Sequence, residues 1–213
     1  MSTVAVLDYG SSNLRSVAKA VEYVAENRHK IIVSDRAEQI SEADRVIFPG
    51  QGAIGQCMHS LREKGLDHVI RDCINNKPFL GICLGLQSLL DNSAEDGGTP
   101  GLGIVPGTVV RFQDNIRDEH GDLCKIPHMG WNRVHRCNSH PLWKDIEDGA
   151  WFYFVHSYYA SPRKREDIAA CTHYTVEFTS AAARDNIFAT QFHPEKSQKA
   201  GLALLKNFLE WKI

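Results

Sequence analysis

The sequence predicts an α/β protein with a mostly parallel central sheet, helices on both of its faces and an antiparallel edge. Two patterns carry that expectation. In the first half, short and mainly apolar runs at Thr3–Leu7, Ile31–Val33, Asp44–Phe48 and Pro78–Ile82 are separated by stretches with apolar residues at helical spacing. A run with no polar alternation fits a strand buried on both faces of a parallel sheet. In the second half the runs are shorter and more alternating, at 108–112, 131–134, 150–155 and 175–178, which suits antiparallel hairpins added at one edge. The chain has 213 residues, 43% hydrophobic and 23% charged, and nothing announces a second core, so residues 1–213 are expected to form a single domain.

Each element has a local reason. After the first strand, Asp8-Tyr9-Gly10-Ser11-Ser12-Asn13 is a cluster of turn residues, and Leu14, Val17, Ala18, Val21 and Val24 then recur at helical spacing. Asn13 or Ser12 is placed to cap that helix; a surface that meets a partner is the second reading for both. The third strand ends in Pro49-Gly50-Gln51-Gly52-Ala53, whose two glycines free the backbone to turn and expose its N–H groups. Helices follow at 55–64 and 66–75, and Asn75-Asn76-Lys77-Pro78 closes them. From Asp91 to Gly101 the chain is polar and glycine-rich and is expected to be a loop. Glu95, within it, is either a solvated carboxylate or a group that reaches back over the site to hold an ammonium.

Composition excludes several classes. A net charge of −2 gives no electrostatic reason to invoke nucleic acid or a membrane surface, and no apolar run is long enough to cross a bilayer. The first residues read directly as a strand, without the basic start and cleavage site of a signal peptide. The six cysteines, at 57, 73, 83, 124, 137 and 171, show no CxxC pair and no compact spacing, so no metal site and no disulfide framework is expected. A reducing cytoplasm fits that usage.

Chemistry concentrates first at Gly81-Ile82-Cys83-Leu84-Gly85-Leu86-Gln87. A strand running straight into a helix at Cys83, with a glycine two residues to either side, is the cysteine version of the nucleophile elbow: the glycines remove Cβ atoms that would clash in so sharp a turn. A thiol there meets free N–H groups and the positive end of a helix, which favour the thiolate. A small buried cysteine in a strand–helix corner is the competing reading. For the loop at 49–52, a phosphate cradle would need a longer glycine pattern and usually a lysine. A plain turn and an oxyanion hole remain, the latter formed by the N–H of Leu84 with a donor from Gly50 or Gln51.

The second stretch is Ile187 to Ser197, which contains Gln191-Phe192-His193-Pro194-Glu195. The proline biases His193 toward an extended backbone and ends regular pairing there. Side chains two apart on an extended chain point the same way, so Glu195 can reach the His193 ring and fix its orientation. A nucleophile needs a base, and the base needs something to orient it; Cys83, His193 and Glu195 supply those roles in turn.

Together these two stretches resemble the class I glutamine amidotransferases, which release ammonia from glutamine through a γ-glutamyl thioester on a flavodoxin-like fold. The resemblance runs over essentially the whole chain. Asp8-Tyr9-Gly10 with Asn13, Pro127-His128-Met129-Gly130-Trp131-Asn132, Phe154-Val155-His156-Ser157-Tyr158 and His193 to Ser197 are further similar to the glutaminase subunits of imidazole glycerol phosphate synthases. Ser12 and Gln51 depart from that pattern, which often has Gly and Val there. The resemblance implies that Gly52, Gln87, Glu95, Ser157 and Tyr158 bind glutamine and that no cofactor is needed. It also implies that Asn13, Met129, Trp131 and Lys196 face a separate (β/α)8 cyclase subunit of the HisF type, with which the chain forms a heterodimer in histidine biosynthesis. A two-state peptide at Gly50-Gln51 is the expected gate. Other readings are a glutaminase serving a different synthase, a noncatalytic regulatory module, which an intact triad disfavours, and a cysteine peptidase, which would not explain Gln87 or the segment 127–132.

Overall fold

Strands that are apolar on both sides need cover on both faces, and the chain supplies it by winding helices over the two sides of one sheet. The computed structural model describes residues 1–115 and 123–213. The first part runs β1 (Ser2–Leu7), α1 (Leu14–Ala25), β2 (His29–Ser34), α2 (Ala37–Glu42), β3 (Arg45–Gly50), α3 (Ile54–Glu63), α4 (Leu66–Asn76), β4 (Phe79–Cys83) and α5 (Leu84–Gln87). Then come β5 (Leu90–Ser93), β6 (Thr99–Pro100), β7 (Val105–Arg111), β8 (His128–Arg136), β9 (Ala150–His156) and β10 (Tyr158–Pro162). The chain finishes with β11 (Ile168–Tyr174), β12 (Val176–Arg184), β13 (Ile187–Thr190) and α6 (Gln198–Glu210).

The strand order is β2-β1-β3-β4-β13-β12-β10-β7-β5-β6, with β11 beside β12, β8 beside β11 and β9 beside β8. Pairing is parallel from β2 through β1, β3 and β4 to β13, and antiparallel from β13 through β12 and β10 to β7. The strand reached last therefore lies in the middle. Its register sets Thr190 opposite Ile82, and β3 sets Gly50 opposite Cys83. Three chain segments far apart in sequence thus end at one rim of the sheet.

Alternate residues of each central strand enter different cores. Val4, Val6, Ile47, Leu80 and Ile82 pack with residues of α1 and α6, among them Val17, Val21, Leu204 and Phe208. Ala5, Leu7, Val46, Phe48 and Phe79 pack with Ile40, Ile54, Leu61 and Ile70 from α2, α3 and α4. Fully burying one such side chain stabilises the fold by about 1.5–3 kcal/mol. The buried stripe Leu14, Val17, Ala18, Val21 and Val24 of α1 therefore far outweighs a missing cap, which costs about 1 kcal/mol.

Several expectations are corrected. Asn13 occupies the cap position of α1 but its side chain makes no capping hydrogen bond. The stretch 91–101, expected to be a loop, supplies part of β5 and all of β6, which pair antiparallel at the sheet edge, joined by a 3-10 turn at Glu95–Gly97. Its polar residues are tolerated because β6 is the edge strand and Asp91 and Asn92 of β5 keep contact with water. The helix after Cys83 is a single turn, so the macrodipole offered to the thiol is small. α2, α6, β10 and β11 are additional elements. The expected strand at 175–178 is the start of the longer β12.

Candidate active site

Cys83 ends β4 at φ 54° and ψ −103°, a backbone that an L residue adopts only when its surroundings hold it there. The two glycines serve close packing. A Cβ on Gly85 would run into the Phe48 carbonyl, and one on Gly81 would come within 3.0 Å of the Ala189 Cβ and 3.1 Å of the Gly85 backbone. Gly50 is under the same constraint, since a Cβ there would meet the Tyr9 hydroxyl and the Leu84 Cβ. Gly52 has φ +99°, which favours glycine. Leu84 opens the helical turn, so its N–H is one of those with no partner inside the helix.

Beside Cys83, the chain leaving β13 brings in His193. Its Nδ1 lies 2.8 Å from Glu195 Oε1, and both side chains are fully buried. The His193 backbone is pinned at both ends: its N–H donates to the Tyr153 carbonyl at 2.9 Å and its carbonyl accepts from the Ser197 hydroxyl at 2.6 Å. Asn13 Nδ2 donates to the same Glu195 oxygen at 2.6 Å. Burial pushes the Glu195 carboxyl up, but the hydrogen bond and charge of His193, followed by the Asn13 amide, bring it below its usual range. For His193, burial works downward, and the charge and polar attraction of Cys83, then of Glu195, overcome it and lift the imidazole to about 10. His193 Nε2 has no well-formed hydrogen bond among the described residues. With Nδ1 committed to Glu195, Nε2 is the nitrogen left to exchange a proton with the sulfur.

A cavity of about 300 Å³ opens beside the sulfur, lined by Gln51, Gly52, Cys83, Leu84, Gln87, Glu95, Ser157 and Tyr158, with Pro127, Val155 and His156. All five residues expected to contact glutamine border it. Gln87 Nε2 donates to the Tyr158 carbonyl at 2.8 Å and to Gln191 Oε1 at 3.1 Å. Glu95 Oε2 accepts from the Ile54 N–H at 2.9 Å, so this carboxylate caps α3 while facing the cavity.

Met129 and Trp131 are 63% and 43% exposed, and Lys196 is exposed as well. The three do not scatter: Met129 and Trp131 are on the same side of β8, while Trp131 lies edge-on to Tyr153 at 6.1 Å between ring centroids and Lys196 Nζ is 5.8 Å from that ring. Asn13, expected with them, is only 7% exposed and aims its amide into the triad. Sequence reasoning missed three further residues. Gln191 is fully buried and directs Nε2 at the Cys83 sulfur from 3.6 Å; its signal was the two-residue spacing to His193. His128 and His156 are also buried and bonded to each other. Among the described residues no group of three or more His, Cys, Asp or Glu could hold a metal ion, and no helix is long and apolar enough to cross a membrane.

A buried imidazole between a thiol and a carboxylate, at the rim of an α/β sheet and next to a cavity, defines a thiol-dependent acyl-transfer enzyme. More narrowly, the chain belongs to the family "Glutamine amidotransferase class-I", whose model matches residues 5–211. It is 53% identical over 213 residues to "Imidazole glycerol phosphate synthase subunit HisH" of Methylococcus capsulatus, covering 100% of this chain and 98% of that one. It is 56% identical over 211 residues to the protein of the same name from Nitrosococcus oceani, covering 99% and 98%. Among solved structures it is similar in fold to a glutamine amidotransferase with TM-score 0.71 and 17% identity, over 97% of this chain and 97% of that one. Another glutamine amidotransferase, from Thermotoga maritima, superposes with TM-score 0.69 and 14% identity, covering 98% and 96%.

Proposed function

We propose that this chain is a single-domain glutaminase that supplies ammonia to the cyclase subunit of an imidazole glycerol phosphate synthase in histidine biosynthesis, acting in the cytoplasm as one half of a heterodimer. The Cys83 sulfur attacks the side-chain carboxamide of glutamine. The N–H groups of Leu84 and of the Gly50-Gln51 peptide hold the resulting oxyanion. His193 delivers a proton from Nε2 to the departing ammonia, leaving a γ-glutamyl thioester on Cys83. It then takes a proton from water, whose attack on the thioester frees glutamate and restores the thiol. Glu195, held by Asn13, keeps the imidazole turned to the sulfur throughout. Gln87, Glu95, Gly52 and the Ser157-Tyr158 backbone bind the rest of the substrate. A (β/α)8 cyclase docks on the Met129, Trp131 and Lys196 surface and uses the ammonia to make imidazole glycerol phosphate and aminoimidazole carboxamide ribotide.

The observation that carries the reading is the 2.8 Å contact of His193 Nδ1 with Glu195, which leaves Nε2 free beside Cys83. The full-length likeness to HisH subunits supports the choice of synthase. The test is glutamate release from glutamine, measured with and without a cyclase partner carrying its ribotide ligand. Release that rises with the liganded partner and vanishes in Cys83→Ala is expected. Persistent release in the alanine variant would overturn the nucleophile, and release indifferent to the cyclase would overturn the pathway.

A further inference from the structure

The two buried histidines missed by sequence reasoning form a hydrogen-bond relay whose direction is fixed at both ends. His156 Nδ1 lies 2.8 Å from the Tyr158 carbonyl, which can only accept, so Nδ1 carries the proton. His156 Nε2 is 3.0 Å from His128 Nδ1. At the far end, the Asn132 amide is oriented by two backbone bonds: Oδ1 accepts from the Arg133 N–H at 2.8 Å and Nδ2 donates to the His173 carbonyl at 2.9 Å. Its other proton goes to His128 Nε2 at 3.2 Å. Each ring therefore donates from Nδ1 and accepts at Nε2, both neutral. Burial supports that state, holding His128 down to about 4; His156 is lowered to about 3, first by burial and then by the neighbouring rings. The His128 ring is also clamped, stacked on Tyr174 at 4.0 Å and on Phe154 at 4.9 Å.

The relay ends at the wall of the glutamine cavity. The Tyr158 carbonyl accepts from His156 and from Gln87, which uses both its lone pairs, and the preceding Ser157 carbonyl is taken by the Phe112 N–H at 3.0 Å. The backbone at 157–158 cannot turn without abandoning buried donors. The relay begins on β8, where His128 is buried and its neighbour Met129, like Trp131 two residues further on, is exposed. We infer that His128 and His156 are positioning residues that fix the Tyr158 carbonyl and so tie the shape of the glutamine cavity to the strand that presents Met129 and Trp131. His128 acts by fixing the tautomer of His156: without a donor opposite Nε2, that ring is free to carry its proton there and release Tyr158.

The inference rests on the glutaminase reading, and its first test does not. In protein labelled with ¹⁵N-histidine, with spectra of His128→Asn and His156→Asn to assign the rings, both are expected near neutral pH as the Nδ1–H tautomer, which is the minor one in free histidine. A ring protonated at Nε2, or at both nitrogens, would overturn the relay. The second test is glutamate release in the complex with the liganded cyclase. His156→Leu is expected to raise KM for glutamine about tenfold with kcat changed less than threefold, and His156→Asn, which keeps a donor at the Nδ1 place, to bring KM back near wild type. Equal KM in all three proteins, or a loss confined to kcat, would overturn the positioning role. A wild type that releases no glutamate would defeat the glutaminase reading instead, while the tautomers still decide the relay; they also decide it if the leucine variant does not fold.

Discussion

Asn13 Nδ2 donates to Glu195 Oε1 across 182 positions of sequence, at 2.6 Å, on the same oxygen that meets His193. This is a charge-assisted bond inside the protein, and such bonds contribute about 1.5–3 kcal/mol. Asn13→Ala is therefore expected to lower stability by roughly that amount, read by urea unfolding, and to reduce glutamate release about tenfold. The sign of its pH dependence follows from Glu195. A carboxyl held low in the folded state adds stability above its unfolded pKa and loses it as pH falls through the folded value. Without Asn13 the folded value moves up toward the unfolded one, so the acid loss begins at the same pH but is smaller and is complete at a higher pH. An alanine variant with an unchanged acid limb would contradict this.

His128 and His156 predict a separate acid transition. Both are buried and lowered, to about 4 and about 3, from the ordinary 6.5. The neutral rings belong to the folded state, so their contribution is complete above pH 6.5 and is lost as pH falls toward 4. Two pH units below 6.5 cost on the order of 3 kcal/mol per ring before coupling between the two. Urea unfolding at pH 7 and pH 4.5 should differ by several kcal/mol, and His128→Asn should narrow the gap. Equal stability at the two pH values would refute the assignment.

Gly50→Ala tests the space around the oxyanion loop. The new Cβ meets the Tyr9 hydroxyl and the Leu84 Cβ, and overpacking of this kind costs about 1–3 kcal/mol. Because Gly50 stands opposite Cys83, relief by backbone movement displaces the peptide proposed to hold the oxyanion. Glutamate release should fall at least a hundredfold while the protein still folds, and adding Tyr9→Phe should recover part of it by removing one of the two clashes. Full activity in Gly50→Ala would remove the 50–51 peptide from the mechanism.

Trp131→Ala should behave differently. The side chain is 43% exposed, so unfolding free energy should change by no more than about 0.5 kcal/mol. A buried aromatic anchor in an interface is worth about 2 kcal/mol or more, or roughly thirtyfold in affinity for the cyclase. Titration with the partner measures it. Unchanged affinity would take Trp131 out of the interface.

What the sequence made legible was local. The central strands declare themselves because both faces are apolar, the elbow because two glycines flank Cys83, and the His193–Glu195 pair because two-residue spacing on an extended chain sets side chains together. What stayed hidden depends on distance in sequence. Nothing near Asn13 indicates a partner at 195, and nothing near His128 indicates one 28 residues on. α6 has Ser197 at its N-cap position but neither a capping side-chain bond nor an acidic first turn; burial of Leu204, Leu205 and Phe208 against α1 holds it.

The central position of β13 has a further consequence, for how the enzyme comes into being. The ribosome delivers Cys83 early and His193 more than a hundred residues later, and until Ile187–Thr190 slots in beside Phe79–Ile82 one flank of β4 has no neighbour. An unpaired apolar strand edge is sticky, and pairing over such a sequence separation is slow. Closing that flank and bringing the His193 imidazole to the Cys83 sulfur are the same event, so a nascent or truncated chain holds the thiol without that imidazole beside it.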